Sequence, residues 1–304
     1  MKLLLCGELD AAELAAWQTA LTQATKTVMP EAIWLDLAAA RREPESVQAA
    51  VVANPPPGSL HGWPRLRLIQ SLWAGVDRLL ADPMLPRGVP IARMVDPAMN
   101  TAMAETALWA VLSLHRGFFD YARQQRDGLW QQLPQRLASE VSVLVLGQGQ
   151  MGQAVATRLL HQGYRVQAWR RDGAALAPLL AQAHVVINLL PLTADTRRLL
   201  DAGFFAAMPA RSSLVNLARG AHVVDAHLLS ALDSGHLQHA VLDTFDTEPL
   251  PAGHGFWQHP QVTLLPHAAA LTDPRSAAVV VAANLRALRD GQPLQHLVDR
   301  QRGY

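Results

Sequence analysis

VSVLVLGQGQMGQAV, residues 141–155, decides the fold. VSVLVL at 141–146 reads as a strand buried on both faces, and 151–162 reads as a helix. Between them stands G-x-G-x-x-G, with Gly147, Gly149 and Gly152. That spacing suits a tight turn, a close backbone approach to a pyrophosphate, and close helix–strand packing, with the helix N-terminus facing the anion. Glycines also punctuate ordinary turns, so the triplet alone is weak. The strand before it and the helix after it are the context expected of a dinucleotide site, with Gln150 and Met151 in the same loop.

Working outward, RVQAW (165–169), HVVINLL (184–190), SSLVNL (212–217), AVLDTF (240–245) and VTLLP (262–266) read as further strands with helix-like stretches between most of them. This alternation predicts an α/β fold with a doubly wound parallel sheet, binding ligands at the carboxyl ends of its strands. Upstream, 2–6, 49–53, 66–72 and 89–95 read as strands, and Leu14, Trp17 and Leu21 mark an amphipathic helix over 10–25. NPPPGSLHGWP at 54–64 is a breaker-rich loop. Met99 to about Gly128 reads as one long helix, capped by Asn100 or Thr101 and apolar on most sides from Met103 to Leu114. Such a helix packs into the core of its own subunit or against a second one, and the pattern fits both.

The strand after the glycine loop ends at Trp169, and Arg170 and Arg171 follow. A site that prefers NAD places an acid there for the ribose hydroxyls, whereas guanidinium groups suit a 2′-phosphate. The expectation is NADPH, with NADH weaker. The alternative reading gives the ribose to Asp172 and leaves the arginines as a solvated pair.

Three later strand ends carry polar groups: NLARG (216–220) with Arg219, LDTFDTEPLP (242–251) with Asp243 and Glu248, and LLPHAA (264–269) with His267. A guanidinium fork grips a carboxylate and polarises a neighbouring carbonyl. An imidazole titrating near neutrality can protonate the carbonyl oxygen, and a carboxylate beside it keeps it charged and oriented. Each residue alone has an ordinary reading, as surface, loop or cap. Their succession along one dinucleotide fold points to reduction of a 2-oxo acid.

NLARG, D-x-F-x-x-E-P-L-P and P-H-x-A resemble the D-2-hydroxyacid dehydrogenases over nearly the whole chain. SLWAGVD (71–77) is similar to that family's substrate-carboxylate loop, and PLTADTRRLL (191–200) to its nicotinamide-side segment. LARGAHVV (217–224), ALDSG (231–235) and VDRQRGY (298–304) resemble its glyoxylate- and hydroxypyruvate-reducing branch. The resemblance implies Arg219, Glu248 and His267 as catalytic residues, with His267 the proton donor. It implies substrate contacts at Trp73, Ala74, Gly75, Val76 and Arg219. It implies cofactor contacts at Leu190, Pro191, Thr196, Leu217, Ala218, Asp243 and His267 besides the glycine loop. Trp73 departs from the small residue common in the family and either narrows the pocket or packs near the hinge. The implied architecture is a Rossmann-type cofactor domain, 98–274, inserted into a smaller flavodoxin-like domain made of 1–97 and a last helix, 275–304, the two closing over substrate. A homodimer through helix 100–127 is also implied. Formate oxidation is disfavoured, because its enzymes carry Gln where Glu248 stands, and a phosphoglycerate dehydrogenase is disfavoured, because such enzymes often carry an extra regulatory domain whereas this sequence ends soon after His267. D-lactate-type activity and a nucleotide-sensing corepressor are the alternatives.

The 304 residues exceed one average domain of about 150, so two domains are expected. A net charge of +1, with acids and bases mixed, argues against nucleic acid or an anionic membrane as partner. Cys6 stands alone, which fits a reducing compartment. The apolar start MKLLLC is too short for a signal segment, and Pro178, Gln182, His184, Asn188 and Pro191 interrupt the longest apolar stretch. The expected location is the cytoplasm, and no metal site is expected.

Overall fold

The first apolar runs of the chain pair side by side in a parallel five-stranded sheet. In this computed structural model, residues 1–171 and 173–304 are described, and the chain divides into two compact units. The first holds Met1–Ala98 and Thr272–Tyr304, the second Met99–Leu271. Unit one opens with β1 (Lys2–Gly7), α1 (Ala11–Val28), β2 (Ile33–Leu35), α2 (Leu37–Arg41), β3 (Val47–Ala53), β4 (Leu68–Ser71), α3 (Asp77–Leu80) and β5 (Ile91–Ala92). The strand order is β2-β1-β3-β4-β5, the flavodoxin-like order. Asp10 caps α1 by accepting the N–H groups of Ala12 and Glu13, and the Glu13 carboxylate accepts that of Asp10 in return. The helix buries Trp17 and Leu21. The expected strand over 89–95 shrinks to Ile91–Ala92: Pro90 before it supplies no N–H, and after it Arg93 N turns to His296 O and Met94 N to Trp73 O.

The long helix expected from Met99 to Gly128 is instead two, α4 (Pro97–His115) and α5 (Phe118–Arg126). Gly117 breaks it with φ +70, a left-handed backbone that its missing side chain permits. The start is also earlier than expected. Pro97 takes the first helical position, where its lost N–H costs nothing, and Asp96 rather than Asn100 or Thr101 accepts the N–H of Ala98. Then come β6 (Ser142–Leu146), α6 (Gln150–His161), β7 (Arg165–Trp169), α7 (Leu176–Leu180), β8 (Val185–Asn188), α8 (Ala202–Ala206), β9 (Ser212–Asn216), α9 (Asp225–Asp233), β10 (Leu237–Leu242) and β11 (Val262–Leu264).

These strands form one parallel sheet in the order β11-β10-β9-β8-β6-β7, so the chain reverses direction of winding between β6 and β8. Alternation along β6 explains the two layers. Val143 and Val145 face a core with Ala107, Ala110 and Val111 of α4 and Val155 and Leu159 of α6. Leu144 and Leu146 face the other core, with Phe204, Phe205, Leu228 and Leu232. A strand buried on both faces needs no polar alternation, which is why VSVLVL reads as it does.

The chain then returns to unit one through α10 (Pro274–Arg289), which packs along α1 and is capped by Asp273. The helix expected over 275–304 stops at Arg289. Gly291 adopts φ +65, Pro293 follows, and the remaining residues run back along β5, with the N–H of Val298 donated to Ile91 O at 2.8 Å. The buried Asn284 amide donates to Gln70 Oε1 of β4 at 2.8 Å, and its oxygen accepts from Gln295 N.

Candidate active site

The strands of the second unit end level with one another: Leu146 is in register with Trp169 and Asn188, Asn188 with Asn216, and Asn216 with Leu242. The candidate residues follow those ends. Gly147 adopts φ +104 and donates its N–H to Trp169 O at 2.8 Å. A Cβ on Gly152 would stand 1.9 Å from Gly147 O, so the third glycine lets α6 lie against the loop. A Cβ on Gly149 would meet nothing within 4 Å. No atom among the described residues fills that space. Gln150 and Met151 start α6, whose first turn no described side chain caps. Backbone N–H groups there remain available to an anion.

At the next two strand ends, buried amides form a network. Asn188 Nδ2 donates to Asn216 Oδ1 and to His222 Nδ1, both at 2.9 Å. His222 Nε2 lies 3.3 Å from Pro191 O, so the ring is best written with its proton on Nε2. Asn216 Nδ2 donates to Arg219 O at 3.1 Å, and Asn188 Oδ1 accepts from Leu190 N. The network thus fixes the backbone on which Leu190, Pro191, Leu217, Ala218 and Arg219 stand. Arg219 is half-buried and donates from Nη1 to Ala218 O at 2.8 Å. A Cβ on Gly220 would fall 1.8 Å from the Phe245 carbonyl carbon. The glycine of NLARG is what lets the Arg219 loop lie directly against the one carrying Glu248.

His267 and Glu248 meet with Nδ1 to Oε2 at 2.8 Å, while Oε1 accepts the N–H of Phe245 at 2.9 Å. The hydrogen bond to Glu248 raises the His267 pKa, burial opposes it, and the Glu248 charge outweighs that of Arg219. Burial pushes Glu248 up, but the bonds from His267 and Phe245 and the charges of His267 and Arg219 leave its carboxyl below its ordinary value. Both shifts favour the imidazolium–carboxylate form of the pair. Nε2 has no hydrogen-bond partner among the described residues. The turn that carries the imidazole is held from two sides. Asp243, buried, accepts from Ala268 N at 2.7 Å and Ala269 N at 3.1 Å, and its own carbonyl accepts from His267 N at 2.8 Å. From α4, Thr106 Oγ1 donates to Ala269 O at 2.7 Å. Burial raises the Asp243 pKa and the two N–H bonds oppose it.

The family model described as "D-isomer specific 2-hydroxyacid dehydrogenase, NAD binding domain" matches residues 108–269. The chain belongs to the D-isomer-specific 2-hydroxyacid dehydrogenases. It is similar to glyoxylate/hydroxypyruvate reductase A of Klebsiella pneumoniae strain 342, 39% identical over 84% of this chain and 87% of that protein. Among solved structures, a D-isomer-specific 2-hydroxyacid dehydrogenase from Xanthobacter autotrophicus Py2 in complex with NADPH and MES matches with a TM-score of 0.92 at 36% identity, over 100% of this chain and 99% of that one. An NADPH-dependent glyoxylate/hydroxypyruvate reductase from Sinorhizobium meliloti, in complex with NADP and sulfate, matches with 0.89 at 31%, over 100% and 99%.

The dehydrogenase places the remaining expected residues in separate settings. Arg170 and Arg171 are exposed just beyond β7, and Arg171 forms an ion pair with Asp195. Asp172, the alternative ribose ligand, lies outside the described residues. Thr196 is buried, its hydroxyl donating to Pro191 O at 2.7 Å and accepting from Thr193 N at 2.8 Å, so it shapes the segment from inside. In unit one, Trp73 stacks edge-on to Trp17 of α1, with centroids 6.2 Å apart. Among the described residues, no acceptor takes the N–H groups of Ala74, Gly75 or Val76. The reading from sequence did not find Asn188, His222 or Thr106. Polar residues at successive strand ends were the available signal for Asn188; nothing local marks Thr106 on an apolar helix. No helix among the described residues is long and apolar enough to cross a membrane.

Proposed function

We infer that the dehydrogenase reduces a small 2-oxo acid, glyoxylate to glycolate or hydroxypyruvate to D-glycerate, with NADPH as cofactor and NADH as a weaker substitute. The observation that carries this reading is the His267–Glu248 pair at 2.8 Å, in the unit where Arg219 lies packed against the Glu248 loop. Arg219 binds the substrate carboxylate and draws electron density from the carbonyl oxygen. Glu248 holds Nδ1–H and favours the charged ring, so His267 delivers its Nε2 proton to that oxygen and is left neutral. By the family resemblance, the N–H groups of Ala74, Gly75 and Val76, beside Trp73, are assigned to substrate binding. The left-handed Gly147, the open face of Gly149 and the start of α6 with Gln150 and Met151 suit a pyrophosphate, and Arg170 and Arg171 suit a 2′-phosphate. Leu190, Pro191, Thr196, Leu217, Ala218, Asp243 and His267 are assigned to the nicotinamide side. When bound, the cofactor supplies the hydride that reaches the carbonyl carbon. Assay of glyoxylate, hydroxypyruvate, pyruvate and phenylpyruvate with NADPH and with NADH tests the reading. Turnover of the first two with NADPH is expected; a preference for pyruvate favours a D-lactate-type enzyme, and no turnover at all overturns the assignment.

The same reading includes a cytoplasmic homodimer. One face of α4 is spent on its own core, with Ala107, Ala110 and Val111 fully buried, but Trp109 is 41% exposed. Phe118, Leu129 and Leu137 are also exposed, and Trp130 is entirely so, at 101%. Apolar side chains grouped along one stretch of chain suit a second copy of the subunit.

A further inference from the structure

Arg171 and Asp195 form an ion pair although each side chain is 58% exposed. Arg171 lies just beyond Trp169, the last residue of β7, and Asp195 lies on the segment that follows β8. In the sheet, β6 runs between those two strands, and Leu146 at its end is in register with both Trp169 and Asn188. The ion pair therefore bridges the segments on either side of β6, the strand that leads into Gly147 and Gly149. The segment bearing Asp195 is otherwise well fastened. Thr196 ties it to Pro191 and to Thr193, and His222 lies 3.3 Å from the Pro191 carbonyl.

We propose that Asp195 is a specificity-determining residue whose carboxylate competes with the cofactor's 2′-phosphate for Arg171, so that the ion pair opens as the phosphate binds. This rests on the NADPH reading given above. A carboxylate and a phosphate use the same guanidinium donors and repel each other on one fork. An exposed ion pair is weak, so a phosphate dianion displaces it. The displacement lowers affinity only for ligands that carry the phosphate. Asp195 thereby moderates the preference that the arginines create.

Titration calorimetry on the cofactor-free, full-length protein at low salt tests this, with adenosine 2′,5′-bisphosphate and 5′-AMP as probes. The proteins are wild type, Asp195→Asn, Arg171→Ala and the double variant. Asp195→Asn is expected to bind the bisphosphate roughly two- to fivefold more tightly, the range an exposed pair commands, and to bind 5′-AMP as wild type does. The gain is expected to vanish in the Arg171→Ala background. Weaker or unchanged bisphosphate binding, an equal gain for 5′-AMP, or a gain that survives without Arg171 overturns the competition. Failure of the NADPH reading shows separately, in wild type alone, as no preference for the bisphosphate over 5′-AMP; that result removes the basis for competition too.

Discussion

His267 has φ +55, in the left-handed region that side chains other than glycine seldom occupy, at a cost of about 1–3 kcal/mol. Three contacts impose it: His267 N to Asp243 O, and the Asp243 carboxylate on the two following N–H groups. The imidazole is thus set by its turn as well as by Glu248. Because Glu248 raises the His267 pKa, reduction, which needs imidazolium, is expected to hold through neutral pH and fall as pH rises through that value. Glu248→Gln keeps a hydrogen bond but removes the charge, so the falling limb of kcat/KM for reduction moves to lower pH. The rising limb of the reverse reaction moves the same way, and limbs that stay in place refute the pairing. Arg219→Lys keeps the charge but loses the planar fork, and is expected to lower kcat/KM about ten- to a hundredfold while calorimetry finds NADPH binding unchanged. These residues were marked as candidates because each sits in a short run, NLARG, EPLP or PHAA, whose residue types suit that chemistry. Asn188 and His222 were not, because their meaning lies in facing each other across the ends of two strands and the loop beyond, a proximity that only the folded sheet creates.

At the glycine loop, structural constraint and ligand binding can be tested apart. Gly152→Ala forces a Cβ against the Gly147 carbonyl, a backbone atom that cannot turn aside. It is expected to cost about 1–3 kcal/mol, read as a lower urea midpoint at unchanged slope. Gly149→Ala meets no protein atom, so the midpoint is expected to hold while NADPH affinity falls. If both variants lose stability alike, the open face of Gly149 is not kept for a ligand. The doubly wound sheet was readable from strands apolar on both faces, as in Val143–Leu146. Where the elements departed from expectation, a backbone detail prevailed over side-chain pattern. Gly117 turned the single helix expected over 99–128 into two, and Gly291 with Pro293 ended the last helix early. Residue pattern cannot see such a break, since the stretches on both sides of Gly117 are each compatible with helix.

For the whole molecule, the dimer reading makes concentration the variable to change. Trp109→Ser with Trp130→Ser is expected to shift sedimentation on dilution toward the single-chain mass, with the far-ultraviolet spectrum unaltered; a wild type sedimenting as one chain at every concentration refutes the dimer. Substrate size tests the other unit. Trp73 packs on Trp17 in unit one, and if it also walls the pocket, Trp73→Ala is expected to raise kcat/KM for phenylpyruvate relative to glyoxylate by about tenfold, the low end of what a filled or emptied apolar pocket discriminates. Two-domain size was legible in length alone, whereas the exposure of Trp130 was not, since a lone aromatic in a polar stretch reads equally as buried or bare. One helix finally joins these scales. From α4, Thr106 grips the carbonyl of Ala269, two positions from the imidazole, and one turn along the same helix Trp109 is exposed. Under the dimer reading, that helix is a lever with a second subunit at one end and the acid group at the other. Crosstalk between two such centres would then surface in initial rates, as a Hill coefficient departing from one that the Thr106→Val variant returns to one.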